Sequence, residues 1–328
     1  MTLRKRYLRN IMKNKSFYIC AILLTTFIGV LYLGFAANAS KFKKEIDDYY
    51  KDKCIEDGQF TVVDEISDED ISSLEKQYDI VLERQKYIDY EKNDKTIRIL
   101  SDMKKINKTI FIKGQEPKKD GEIIINTCYM KKNKINANDK ISIFDKKYTV
   151  LGDMERPDYL FMIKDTSDTF AIKDKFGIAI VSDETFKSIE EEKGLTGVYY
   201  SIIYNKNNAN DVRININEKY HMLSYLKADS NTRITTLPLE IEKTVNMFNI
   251  IIPVFVFFIG IIIAVVLGRK IKNERKQIGV LLALGYKKRS IAIHYTFYGV
   301  MVSFIGGLLG ILGGPLDRKS TRLNSSHT

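Results

Sequence analysis

The sequence predicts an integral membrane protein with three α-helical transmembrane spans and a large α+β extracytoplasmic domain between the first and the second. Three observations predict it. The apolar residues fall into three long blocks with the charges between them, whereas a single globular domain spreads both along the chain. The blocks at 17–39 and 247–268 hold no charged side chain, and the third, at 290–316, has His294 as its one group titrating near neutrality. Lysine and arginine crowd the short segments beside these blocks.

Residues 1–16 carry Arg4, Lys5, Arg6, Arg9, Lys13 and Lys15 and no acid. Leu3, Tyr7, Leu8, Ile11 and Met12 share one helical face, so the segment reads as an amphipathic basic helix on the inner membrane surface. Residues 17–39 form the first span, because roughly 20 apolar residues cross the hydrocarbon core. The stretch AANAS at 36–40 faintly resembles a signal-peptidase site, but the apolar run is too long for a signal peptide.

Residues 40–246 form the extracytoplasmic α+β domain. The segment 40–53 continues as a helical stalk with Phe42, Ile46 and Tyr49 or Tyr50 on one side. A strand is expected at 61–66. A short helix should follow, capped by Ser67 with Asp70 three residues on. Further strand-like stretches occur at 79–90, 96–100, 109–114, 122–126, 140–153, 177–181 and 198–205, with helical patterns at 185–192 and 212–226. Strands mixed with scattered helices indicate α+β. Cys54 and Cys128 lie in this domain and either pair or remain two free thiols.

Residues 247–268 form the second span. Residues 269–290 are basic, with Arg269, Lys270, Lys272, Arg275, Lys276, Lys287, Lys288 and Arg289 against Glu274 alone. Both strongly basic flanks belong on the cytoplasmic side, which places the N-terminus in the cytoplasm and residues 40–246 outside. The net charge of +11 is therefore a topology signal and no indication of nucleic acid. Within this segment a short apolar helix, 278–284, ends at Gly285, a residue suited to the left-handed cap. An apolar helix between basic turns makes sense when it docks into a groove on a cytoplasmic partner. Residues 291–316 form the third span. Gly306, Gly310 and Gly314 recur every fourth residue, a spacing that lets another helix of the same chain approach closely.

The chemistry of catalysis is missing. No G-x-x-x-x-G-K-[ST] is present, and GVLLALGYKK is no phosphate loop. There is no HExxH and no CxxC, so no catalytic, cofactor or metal residues are assigned. His221 reads as a surface residue, His294 as structural, and the acidic run 64–70 as a solvated face. No span contains an acid, which argues against a proton relay. Residues 317–328, DRKSTRLNSSHT, resemble a translated sequencing adapter and are expected to be a non-native tail.

The stretch 269–295, RKIKNERKQIGVLLALGYKKRSIAIHY, resembles the FtsX/MacB-like permease family of ABC transporters. Arg275, Ile278, Gly279, Leu281, Ala283, Leu284, Gly285 and Ile291 fall on that family's pattern after its second span, while Gln277 replaces the usual Glu. Gly114, Pro117, Gly121 and Glu122 match a recurring turn of its outer domain. A fourth span of the family is missing, which fits truncation. The resemblance implies a permease subunit that couples a separate cytoplasmic ABC ATPase to movement of the extracytoplasmic domain, for export or for signalling to the cell wall. It implies a homodimer or a second permease subunit. It places Arg275, Ile278, Gly279, Leu281, Leu284, Gly285, Lys287 and Lys288 at the ATPase, and it makes the chain itself no enzyme. The alternatives are a membrane-anchored sensor with an extracellular ligand domain and a membrane-anchored enzyme.

Overall fold

The computed structural model describes residues 15–168, 170–206 and 209–313. Most of the amphipathic segment expected at 1–16, together with Gly314 and the tail 317–328, lies outside the described residues. Helix α1 (Lys15–Leu31) is joined to α2 (Asn38–Asp52) by a π-helical stretch, Tyr32–Ala37. Helices α3 (Asp68–Tyr78), α4 (Thr127–Asn133), α5 (Asp183–Lys193) and α6 (Ala209–Tyr220) lie among the strands. Helices α7 (Thr232–Asn273), α8 (Arg275–Ala283) and α9 (Lys288–Gly313) follow. The chain divides into two compact units, Glu45–Leu239 and the sequence on either side of it.

The Glu45–Leu239 unit is a mixed ten-stranded sheet. Its strands are β1 (Gly58–Val62), β2 (Ile80–Lys92), β3 (Lys95–Leu100), β4 (Ile110–Lys113), β5 (Glu122–Asn126), β6 (Lys140–Ile143), β7 (Lys146–Glu155), β8 (Phe176–Val181), β9 (Gly197–Tyr204) and β10 (Met222–Lys227). The order is β10-β1-β9-β2-β3-β8-β5-β7-β4, with β6 paired to β7. The pairs β3/β8 and β5/β7 are parallel and the others antiparallel. Central strands are buried on both faces, so they read as continuous apolar runs. Ile123 and Ile125 enter one core with Ala179, Val181 and Phe186, while Ile124 points the opposite way to Ile178, Ile180 and Met154. A third core gathers Leu74 of α3, Val212 and Ile216 of α6, and Phe60, Leu82 and Ile202 of the sheet.

Local signals explain the joints. Ser67 caps α3 by accepting the Asp70 amide at 3.1 Å, as its spacing predicts. In the Gly114–Glu122 turn, Gly114 has φ +92° and Gly121 φ +78°. The Glu122 carboxylate there accepts the amides of Lys118 and Lys119, both at 2.9 Å.

Two expectations are corrected, and one helix was not foreseen. The helix expected at 212–226 stops at Tyr220. His221 takes φ +52°, Met222 donates its amide to Asn217 Oδ1 at 3.1 Å, and residues 222–227 become an edge strand against β1. The strand expected at 61–66 lies instead at Gly58–Val62. Residues 127–133, not assigned to any element from the sequence, form α4.

Among the described residues three helices are long and apolar enough to cross a membrane: Tyr18–Asp52, Thr232–Asn273 and Lys288–Gly313. Helices α1 and α9 pack through glycine. A Cβ on Gly310 would stand 2.9 Å from the Gly29 Cα, and one on Gly306 would stand 1.7 Å from Thr25 Oγ1. Tyr18, Ala21, Tyr298 and Val302 fill the rest of this contact. The expected close approach within the chain is thus present at Gly306 and Gly310.

Candidate functional site

The residues expected to meet an ATPase lie on α8 and the turn after it. The helix begins just after Glu274, whose carbonyl accepts the Ile278 amide at 3.0 Å. It ends as its sequence requires. Gly285 takes φ +85° and donates to the Leu282 carbonyl at 3.0 Å, and Tyr286 donates to the Leu281 carbonyl at 3.1 Å. This pair of bonds is a Schellman cap. A Cβ at Gly285 would be strained whatever the surrounding space.

Ile278 and Leu281 are half-buried, whereas Leu284 is 70% exposed. Val280 is 60% exposed and lies one helical turn before Leu284, so these two share an edge. Gly279 has open space where a side chain would be. Arg275, Lys276, Lys287 and Lys288 are exposed at the two ends. The arrangement is a short apolar edge between cationic ends. It suits an apolar groove with an acidic rim. Sequence reading passed over Val280; its spacing from Leu284 was the available signal.

The sheet unit holds a buried polar network. Glu56 is 1% exposed. Its carboxylate accepts Ser201 Oγ at 2.5 Å, Asn107 Nδ2 at 2.9 Å and Asn231 Nδ2 at 3.5 Å. Burial, with the Asp158 charge second, pushes the Glu56 carboxyl up to about 7 against the pull of those hydrogen bonds and of Arg156. Arg156 forms a two-pronged pair with Asp158 at 2.9 and 2.8 Å and donates to Gln85 Oε1 at 2.7 Å. A second buried pair joins Arg98 to Asp89 by two 2.8 Å bonds. Every charge here meets a charge or hydrogen-bonding partner inside the protein, which is the condition for burying it. The network joins Glu56, four residues past α2, to Asn231, the residue before α7.

The remaining candidates are scattered over the molecule. His221 is exposed, 3.7 Å from Asp64. Within the acidic run, Glu65 and Asp68 hold Arg84, and Asp70 holds Lys219. His294 is buried edge-on to Tyr298. Cys54 and Cys128 are free thiols. Among the described residues no group of three or more His, Cys, Asp or Glu is placed to hold a metal ion.

Residues 249–316 match the FtsX-like permease C-terminal family. No curated protein matches the chain. The match begins in the apolar stretch of α7, includes all of α8, and reaches past the end of α9. Permeases of this family typically work with an ABC ATPase and are generally not enzymes themselves. Residues 249–316 are therefore similar to the C-terminal part of the FtsX-like permeases, the family that the segment 269–295 resembles.

Proposed function

We propose that this chain is the transmembrane subunit of an ABC transporter. In this reading its N-terminus is cytoplasmic, residues 40–246 lie outside the membrane, and residues 269–290 engage a separate ATPase. The observation that carries the reading is the exposed apolar edge of α8, Val280 and Leu284, set between Arg275 and Lys287–Lys288. Such an edge is a liability on a free surface and is accounted for by a groove that covers it. Supporting it, the Schellman cap at Gly285 holds α8 to a fixed length, so the edge is presented as a unit. The exposed apolar side chains of α7, among them Ile250, Val254, Phe257 and Phe258, suit lipid or a second permease subunit. The stalk and α7 would carry motion between the ATPase and the sheet domain.

The test is co-purification with an ABC ATPase, sought first among the genes neighbouring this one. Leu284→Asp and Val280→Asp should each abolish capture, while Leu281→Asp should weaken it and also disturb the fold, because Leu281 is half-buried. Capture unchanged by all three would overturn the reading. Topology is checked by a membrane-impermeant thiol reagent on intact cells. With Cys20, Cys54 and Cys128 changed to serine, a cysteine in place of Lys272 should be protected and one in place of Lys118 should react.

A further inference from the structure

Lys270 is out of place for a cation. It follows the apolar stretch of α7 by two residues, yet it is only 8% exposed. A lysine beside a membrane normally extends its ammonium to water, whereas this one is aimed into protein. Its Nζ lies 3.7 Å from the centre of the Tyr298 ring and 5.5 Å from that of Tyr18, and it donates a 3.0 Å hydrogen bond to the Tyr18 hydroxyl. The two rings stand 5.8 Å apart, and His294 meets the Tyr298 ring edge-on at 5.6 Å. Tyr298 is fully buried and Tyr18 nearly so. One ammonium thus touches α1 through Tyr18 and α9 through Tyr298, while its own backbone belongs to α7.

The next turn repeats the link. Glu274 accepts the Tyr295 hydroxyl at 2.6 Å, and its amide donates to the Lys270 carbonyl at 3.0 Å. Glu274 is also the residue that starts α8. The origin of α8 is therefore tied to α9 at Glu274 and, one turn earlier, to both α1 and α9 at Lys270.

A methionine would fill the Lys270 site without the cost of burying a charge. What lysine adds is direction, because attraction to a ring face and a hydrogen bond both depend on where the ammonium points. An intramembrane or membrane-edge ionisable residue facing protein is a functional candidate by default. Lysine and glutamate here act on no substrate; they are positioning residues.

We propose that Lys270 and Glu274, with Tyr18, Tyr298 and Tyr295, form the box that orients α8, so that a shift of α1 against α9 at this end re-aims the docking helix. This rests on the reading of α8 as the segment that meets the ATPase.

The experiment uses the full chain in lipid nanodiscs with Cys20, Cys54 and Cys128 changed to serine. Nitroxide labels are placed at Lys276→Cys on α8 and Ile293→Cys on α9, both exposed positions, and their separation is measured by pulsed electron paramagnetic resonance. The starting protein should show one narrow distance distribution. Lys270→Arg and Tyr298→Phe, which keep the cation and the ring, should preserve it. Lys270→Met and Tyr298→Leu should broaden it at least twofold, and capture of the ATPase by Lys270→Met should fall at least tenfold although α8 is unaltered. A Lys270→Met distribution equal in mean and width to that of the starting protein overturns the box. Should Lys270→Met fail to yield monodisperse protein, Tyr18→Phe and Tyr298→Leu decide, and unchanged widths in both overturn it equally. A starting protein that captures no ATPase sinks the docking reading, while the distances still judge the box on their own.

Discussion

Replacing Glu56 by glutamine tests the buried network of the sheet unit quantitatively. The carboxyl of Glu56 is raised from 4.5 to about 7 in the folded protein, chiefly by burial and then by the Asp158 charge. Below pH 4.5 the carboxyl is protonated in folded and unfolded chains alike, and its titration contributes nothing to stability. As pH rises from 4.5 to 7 the unfolded chain releases the proton and the folded chain keeps it. The folded state then binds more protons, so stability falls with rising pH across this window and levels off above it. At about 1.4 kcal/mol for each unit of difference, the whole loss is about 3 kcal/mol, of which about 2.5 falls between pH 5 and pH 8. Glutamine keeps the shape and an acceptor for Ser201 and Asn107 but cannot ionise. Urea titrations of the full chain in detergent, followed by tyrosine near-ultraviolet circular dichroism, should show the native protein losing about 2–3 kcal/mol more than Glu56→Gln between pH 5 and pH 8. All other titrating groups are common to both proteins and cancel. Parallel pH profiles for the two would refute the reasoning.

Three further outcomes are expected. Leu284→Asp should reduce ATPase affinity at least 100-fold, because it removes about 2 kcal/mol of apolar burial and leaves a carboxylate in the groove; melting of the free chain should stay unchanged, since the residue is exposed. Gly310→Leu should destabilise the α1–α9 contact by at least about 1–3 kcal/mol, because the atoms its Cβ would meet are the backbone of Gly29 and Thr26; Gly307→Ala, with open space around it, should be neutral or stabilise by up to about 1 kcal/mol in thermal denaturation in detergent. Asp89→Ala strands the buried Arg98 guanidinium and should cost about 3–5 kcal/mol, read from the urea midpoint of the sheet unit.

What sequence alone decides here is what depends on near neighbours. Twenty uncharged residues make an apolar helix whatever else the chain does, so three such helices with strands and short helices between them were legible. Gly285 terminates α8 and Ser67 starts α3 because a cap is settled within a few residues. The spacing of Gly306 and Gly310 announced a close helix contact, although its partner, Gly29, was not named by that spacing. Tertiary structure decided the rest. Residues 222–227 follow a helical pattern until pairing with β1, more than 150 residues earlier, draws them into the sheet. Val280 and Leu281 are adjacent and equally apolar, and only packing turned one outward. Lys270 counted merely as one basic residue among many until Tyr18, 252 residues away, and Tyr298 closed around it. Glu56 attracted no notice in the sequence, because its burial comes from Asn107, Ser201 and Asn231, 51 to 175 residues distant. Burying a charge requires partners, and those partners are neighbours in space that sequence distance does not reveal.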